Sequence, residues 1–221
     1  MFMGLVGSEM CIRDRSKENK EKPTHFVVIF DSARKNFRND IYEDYKANRS
    51  DAPDDLIPQF EYIRKSVEAF NIPAVEMINY EADDLIATYS KKITKLGFDV
   101  TIVSSDKDLM QLHDKKVRIY DPMKNKFIKK EDVIAKFGVT SDKVIDVQSL
   151  AGDSSDNVPG VPGIGVKTAA ELINKFGSLE ELLKNAKTIK QNKRRETIIE
   201  NKDKALITVS YTHLRAHETH E

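Results

Sequence analysis

The sequence predicts an α/β fold in which a parallel β-sheet is followed by an all-helical unit. Three apolar, β-branched runs, FVVIF, VTIVSS and VRIY, end at acidic residues, which are Asp31, Asp106 and Asp121. Apolar residues at helical spacing occupy 56–67 and 85–96, between the first two runs. Strand, helix and strand in succession indicate parallel pairing, and such sheets place their functional crevice outside the carboxyl ends of the strands.

The second part of the chain, from about Val139, shows short helical patterns and no further predicted strand. Its most distinctive run is VPGVPGIGVKT, where a Gly-Ile-Gly turn leads into a helix. Main-chain N–H groups at such a turn suit phosphate, and Lys167 and Thr168 would add donors. We predict a helix-hairpin-helix that binds DNA through Gly163, Gly165, Lys167 and Thr168. A Pro/Gly turn joining two packed helices is the alternative.

Composition limits the class of protein. The chain has 221 residues, 39% of them apolar, which argues against collagen-like or wholly disordered structure. Its 36 Lys and Arg balance 36 Asp and Glu, so nucleic-acid binding would have to depend on local patches. The single cysteine, Cys11, excludes an intramolecular disulfide and suits a reducing cytoplasm. No apolar run approaches the roughly 20 residues of a membrane span, so no membrane partner is expected.

Eight acidic residues occur in four places, and several of them lie at or just after predicted strand ends, on the side where such sheets place their sites. Separately, each group is also typical of helix caps and turns. Together, converging carboxylates require cations, and oxygen ligands select two Mg²⁺ or Mn²⁺ ions, which suit phosphodiester hydrolysis. The eight residues are Asp31, Glu81, Asp83, Asp84, Asp106, Asp108, Asp153 and Asp156.

Basic and aromatic residues alternate in SARKNFRNDIYEDYKANR, residues 32–49. Cations and rings together suit single-stranded nucleic acid, and an amphipathic helix with a solvated charged face is the alternative. Residues 184–204 hold eight further basic residues, which would extend a basic surface along the helical unit.

The two ends are set apart from the fold. Residues 1–16 and 209–221 resemble translated sequencing-library adapter, and the second contains His213, His217 and His220. A His-rich metal-binding tail is the alternative for the second.

Four ordered motifs resemble the 5′-nuclease of bacterial DNA polymerases I, a relative of flap endonucleases. They are VIFDSARKNFRNDIYEDYKANR, YEADDLIA, SSDKDLMQL and AGDSSDNVPGVPGIGVKTA, and the resemblance covers roughly residues 17–208. It implies a PIN-like catalytic domain with a helical arch over 17–138. It also implies a helix-three-turn-helix, DNA-binding domain over 139–208, where K⁺ often binds.

The resemblance also implies roles for individual residues. Asp31, Glu81, Asp83 and Asp84 fall at the first metal cluster of the family, and Asp106, Asp108, Asp153 and Asp156 at the second. Arg38 and Lys46 fall where arch residues act on the scissile phosphate, and Tyr42 and Arg49 where they bind DNA. The implied substrate is branched or nicked duplex DNA with a 5′ flap, bound by a monomer.

One departure from the family concerns the start of the chain. The family opens with a strand that carries an early aspartate, and here the leader replaces it, so we expect a sheet without its central strand. The chain then resembles a fragment of a DNA polymerase I gene. Two functions follow, a 5′-3′ exonuclease or flap endonuclease and a catalytically impaired fragment that binds branched DNA. A third function, a PIN-type ribonuclease, lacks support in the second half of the chain, because such an enzyme would need neither the Gly-Ile-Gly turn nor the GDSSDN sequence.

Overall fold

The computed structural model describes residues 2–4, 23–33, 35–212 and 214. The chain forms two compact units. The first contains the described residues up to Phe37 together with Ser50–Ile128, and the second contains Arg38–Arg49 together with Lys129–Leu214. The second unit is therefore assembled from two separate stretches of sequence.

The first unit is built on a six-stranded sheet whose strands lie in the order β3-β2-β1-β4-β5-β6. All neighbours pair in parallel except β5 and β6, which are antiparallel. This confirms the predicted parallel sheet. The strands are β1 (Phe2–Gly4), β2 (Phe26–Ile29), β3 (Ala74–Val75), β4 (Val100–Val103), β5 (Val117–Asp121) and β6 (Lys126–Ile128).

Strand β1 corrects the expectation of a missing central strand. Its main chain lies between β2 and β4, with Met3 in register with Val27 and Ile102. The expectation was wrong because backbone pairing needs only three extended residues, and these carry no periodic pattern that predicts a strand. The early aspartate of the family pattern has no counterpart in β1, whose sequence is FMG.

Burial explains the apolar runs of the central strands. All of Val27, Val28 and Ile29 are buried, and so is every residue of β4. A strand covered on both faces needs apolar side chains at every position, which is why these runs are continuous rather than alternating.

Two longer helices accompany the sheet, after the short helix α1 (Phe37–Ile41). They are α2 (Ile57–Ala69) and α3 (Ala82–Lys95). Helix α3 buries Leu85 and Ile86 of its predicted stripe, whereas Leu96, which follows the helix, is exposed. Helix α2 buries Val67 and leaves Phe60 exposed. No helix in the described part of the chain is long and apolar enough to cross a membrane.

The second unit is helical, as predicted, and its central helix α5 contacts α6 and α9. Helix α9 continues to Thr212, into the segment 209–221 that sequence analysis sets apart. His213, His217 and His220 lie outside the described residues. The helices are α4 (Lys130–Phe137), α5 (Val144–Ala151), α6 (Val166–Phe176), α7 (Leu179–Lys184), α8 (Asn192–Glu200) and α9 (Lys202–Thr212).

A two-stranded pairing inside the helical unit was not predicted. Strands β7 (Gly152–Asp153) and β8 (Val158–Pro159) pair in antiparallel fashion around the GDSSDN sequence. Two glycines permit this pairing, because a Cβ on Gly160 would lie 2.3 Å from the carbonyl carbon of Ala151, and one on Gly152 would lie 2.3 Å from the nitrogen of Gly160. The main chains therefore cross at a distance that no side chain allows.

Candidate functional site

The first acidic group surrounds the N-terminus of α3. Asp31 follows β2 and accepts a hydrogen bond from the N–H of Ala82 at 2.7 Å. Asp84 is buried and accepts one from the N–H of Glu81 at 3.3 Å. The Glu81 carboxylate in turn accepts a hydrogen bond from the Asn36 amide at 3.0 Å. All three side chains thus accept hydrogen bonds at or beside the N-terminus of α3, and Asp83 lies half-buried in the same turn.

These contacts also fulfil the capping role that was the alternative for this sequence. Asp84 satisfies a main-chain N–H that the helix itself leaves without a partner. Capping and metal binding are compatible, because each carboxylate has two oxygens and several lone pairs.

The second acidic group follows β4, as the pattern of strand and acid predicts. Asp106 is exposed, and its N–H donates to the hydroxyl of Ser104 at 3.1 Å. One oxygen of Asp106 accepts the N–H of Asp108 at 2.8 Å, directly before a turn of 3₁₀ helix. Local hydrogen bonds therefore fix the direction of the loop that carries both acids.

The third acid at a strand end, Asp121, has a structural role. Its buried carboxylate accepts hydrogen bonds from Ser105 Oγ at 2.6 Å, Lys124 Nζ at 2.8 Å and the N–H of Met123 at 3.0 Å. Burial alone would raise the pKa of Asp121, but the hydrogen bonds from Lys124 and Ser105 hold that pKa below its usual value. Asp121 therefore closes the turn between β5 and β6.

The remaining candidate ligands, Asp153 and Asp156, lie in the second unit. Asp153 is buried and accepts the N–H of Ser155 at 2.8 Å, which caps a short 3₁₀ turn. Asp156 accepts a hydrogen bond from Arg49 at 2.5 Å and one from the hydroxyl of Tyr45 at 3.2 Å. Asp156 thus contacts Arg49, which the family resemblance assigns to DNA binding.

Residues 38–49, here called the basic segment, contain most of α1 followed by turns rather than one amphipathic helix. Lys46 adopts a left-handed conformation with φ of 57°, and its Nζ lies 3.8 Å from the carboxylate of Asp156. Arg38 is buried, and its guanidinium carbon lies 5.9 Å from the centroid of the Tyr45 ring. Tyr42 is half-buried beside the same ring. The basic segment is therefore a packed part of its unit.

Two asparagines that sequence analysis did not single out fasten the basic segment. The amide of Asn48 donates to the carbonyl of Ser154 at 2.8 Å, and the amide of Asn157 donates to the carbonyl of Asp44 at 2.7 Å. Each contact spans more than one hundred residues of sequence. No local pattern could have revealed them.

The Gly-Ile-Gly turn precedes α6, as predicted. Gly163 has φ of +73°, and a Cβ built on Gly163 or Gly165 would meet nothing within 4 Å. Lys167 is exposed and Thr168 half-buried in the first turn of α6. The main chain of the turn is therefore open on the side where side chains would stand, an arrangement that suits a close approach by phosphate.

The candidate ligands fit a hard divalent cation by their chemistry, since all of them offer carboxylate oxygens. Within the described ranges, however, no three His, Cys, Asp or Glu side chains form a group that could hold a metal ion. The first unit brings Asp31, Glu81 and Asp84 to one helix end and pairs Asp106 with Asp108.

Comparison with known proteins gives the family. Residues 10–138 match the family described as "5′-3′ exonuclease, N-terminal resolvase-like domain". Residues 139–219 match "5′-3′ exonuclease, C-terminal SAM fold".

The chain belongs to the 5′-3′ exonuclease family.

Among curated relatives, a DNA polymerase I of Rhizobium leguminosarum is 55% identical over 193 residues, which are 87% of this chain and 19% of that protein. A 5′-3′ exonuclease of Aquifex aeolicus is 46% identical over 166 residues, which are 75% of this chain and 57% of that protein. This 5′-3′ exonuclease family member therefore spans about a fifth of the polymerase and little more than half of the Aquifex protein.

Solved structures show the same fold. A phage T5 5′-exonuclease with bound zinc has a TM-score of 0.81 at 21% identity and covers 97% of this chain and 89% of its own. A T5 flap endonuclease in a complex with DNA and metal ions has a TM-score of 0.80 at 21% identity, with the same coverage. The predicted family and fold class are confirmed.

Proposed function

We propose that this chain is a metal-dependent, structure-specific 5′-3′ exonuclease and flap endonuclease that hydrolyses DNA phosphodiesters. The observation that carries the proposal is the pair of acidic groups at the helix α3 N-terminus and after β4, within a chain of the 5′-3′ exonuclease family. Two Mg²⁺ or Mn²⁺ ions bound by the eight carboxylates would activate water and stabilise the leaving oxygen.

Carboxylate side chains of this protein would hold the two metal ions. Asp31, Glu81, Asp83 and Asp84 form the first ligand set of the proposal, and Asp106, Asp108, Asp153 and Asp156 form the second. The carboxylate of Asp106 accepts a hydrogen bond from the N–H of Asp108, and the N–H of Asp106 donates to Ser104, so side chain and loop are both positioned before a cation binds.

DNA contacts in the proposal come from the second unit. Arg38 and Lys46 would act on the scissile phosphate, with Tyr42 and Arg49 on the adjacent strand. Gly163, Gly165, Lys167 and Thr168 would hold duplex phosphates without reading bases. The substrate is branched or nicked duplex DNA with a 5′ flap, in line with the T5 flap endonuclease solved with DNA and metal ions.

Three further parts of the proposal depend on the resemblance and the composition. They are a K⁺ ion at the Gly-Ile-Gly turn, a monomeric state and a cytoplasmic location. The last agrees with the single cysteine of the chain.

The test uses the double variant Asp106→Ala, Asp108→Ala on a labelled 5′-flap substrate with Mg²⁺. Ligands that organise cations act mainly on the transition state, so cleavage should fall by at least about a hundredfold while flap binding in Ca²⁺ changes little. The matched control is Asp54→Ala, Asp55→Ala, which removes two exposed carboxylates from the same unit. Equal cleavage by the two double variants would remove Asp106 and Asp108 from the site.

The second candidate is a fragment that binds branched DNA and cleaves it poorly. It is favoured because no group of three ligands forms in the part of the chain that the structure describes. This candidate would be established instead if the unsubstituted chain binds the flap substrate but does not cleave it in Mg²⁺ or Mn²⁺.

A further inference from the structure

Asp156 is held by the basic segment through both of its carboxylate oxygens. Oδ1 accepts a hydrogen bond from Arg49 at 2.5 Å. Oδ2 accepts one from the hydroxyl of Tyr45 at 3.2 Å and lies 3.8 Å from Lys46 Nζ. The side chain of Asp156 is only 13% exposed, so these neighbours leave it little contact with water.

The contact is reinforced by the main chain. The N–H of Lys46 donates to the carbonyl of Asp156 at 2.9 Å, and the amides of Asn48 and Asn157 bond across the same boundary. The ring of Tyr45 is buried against Val158. The basic segment is therefore docked on residues 154–158, and two of its three cations, Lys46 and Arg49, lie at the acid that the proposed function makes a metal ligand.

A metal ion and these side chains cannot share Asp156 on equal terms. A divalent cation needs a carboxylate lone pair at about 2.1 Å, and a guanidinium on the same oxygen would repel it. Binding of one partner therefore costs the interaction with the other, which is a coupling between metal binding and the position of the basic segment.

We propose that Asp156 is an exchange point between the basic segment and the metal. Arg49 and Lys46 neutralise Asp156 until a divalent cation takes the carboxylate, and the displaced side chains become available to a DNA phosphate. Metal binding thereby makes Arg49 and Lys46 available for contacts with DNA. This inference rests on the proposed function, because it takes Asp156 as a ligand.

The decisive test measures Mn²⁺ binding by electron paramagnetic resonance, without DNA and without turnover. Removing a competing cation should tighten Mn²⁺ binding, and an ion pair whose arginine is half exposed to solvent predicts about a two- to fivefold tightening for Arg49→Gln. A smaller tightening is expected for Lys46→Met, whose ammonium lies farther from the carboxylate. A residue that merely supported the fold would weaken Mn²⁺ binding when replaced.

The charge-matched control is Lys184→Met, which removes one positive charge that pairs with Glu180 and Glu181. It should leave Mn²⁺ affinity unchanged. Unchanged or weaker Mn²⁺ binding by Arg49→Gln, with the parent chain binding Mn²⁺, would overturn the exchange while leaving the proposed function intact. A parent chain that binds no Mn²⁺ would overturn both.

A second measurement follows the basic segment itself. Trypsin cuts after Lys46 and Arg49, and the rates of both cuts, followed by mass spectrometry, should rise several-fold when Mn²⁺ is added. The cut after Lys184 should not respond and serves as the internal reference. Rates after Lys46 and Arg49 that are insensitive to Mn²⁺ in a chain that binds it would contradict the release.

Discussion

Asp146 lies half-buried in α5, where its carboxylate accepts a hydrogen bond from the N–H of Leu179. Burial raises the pKa of Asp146, and the nearby Asp142 adds to this, while the hydrogen bond from Leu179 and the charge of Lys143 oppose it. The ionised carboxylate is thus less stable in the folded protein than in the unfolded chain.

This shift has a definite sign in a melting experiment. A folded-state pKa above the unfolded value means that stability is lost as pH rises through that interval. Asp146→Asn keeps the acceptor for Leu179 and cannot ionise, so it should raise the melting temperature by a few degrees at pH 7.5. At pH values below the unfolded pKa the gain should disappear.

The control is Asp55→Asn, which removes an exposed carboxylate from the first unit. A melting difference between Asp146→Asn and the parent that is equal at both pH values would refute the assigned cause.

For single residues, the sequence predicted the position of an acid at a strand end better than it predicted which side chains that acid contacts. The strand-then-acid pattern placed Asp31 and Asp106 at the ends of β2 and β4, since strand ends are a local property. The contact between Arg49 and Asp156 spans 107 residues and follows from the tertiary fold alone. Nothing in the neighbourhood of either residue predicts it.

Among the elements, the turn before α6 combines a left-handed glycine with an open surface. Gly163 and Gly177 share both properties, with φ of +73° and +96° and nothing within 4 Å of an added Cβ. Replacement of either glycine by alanine should therefore lower the free energy of unfolding by a similar amount, about 1 kcal/mol. The two glycines differ in place, because Gly177 ends α6 and Gly163 precedes it.

We expect Gly163→Ala to lower the affinity for duplex DNA about tenfold, as loss of a hydrogen bond to a charged group would. Gly177→Ala should leave that affinity unchanged despite a similar loss of stability. Gly165→Val adds a side chain without left-handed strain, since φ is −88° there, and should also weaken binding. Filter binding measures all three, and equal affinities would exclude the turn as a phosphate site.

Helical periodicity predicted the two longer helices of the first unit but not how much of each apolar stripe is buried. In α3, Leu85 and Ile86 are buried, whereas Leu96 at the end of the stripe is 74% exposed. For α2 the same periodicity is present, but Phe60 is 48% exposed, so amphipathic spacing alone did not show how much of the face is covered. Strands β7 and β8 were missed because two-residue strands have no period to detect.

At the scale of the whole molecule, the central position of β1 makes the sheet continuous. Because β1 pairs with both β2 and β4, the loss of a main-chain donor there interrupts the ladder in the middle of the sheet. This interior position explains why a three-residue strand can matter to the first unit as a whole.

Met3→Pro should lower the melting temperature of the chain by several degrees, because proline removes an N–H and does not fit a central strand. Met3→Val is the matched control, since a β-branched residue suits a strand. Circular dichroism follows both. If Met3→Pro and Met3→Val have the same melting temperature, the pairing of β1 contributes little to stability.

The second unit joins residues 38–49 to a stretch that begins at Lys129. During synthesis on the ribosome, Tyr45 leaves the exit tunnel 111 residues before Asp156, its hydrogen-bond partner. At roughly 5–20 residues per second the delay is on the order of ten seconds. For that period the nascent chain carries an aromatic, cationic stretch whose docking surface does not yet exist. A chaperone that recognises such stretches therefore has ample time to bind it before the unit can close.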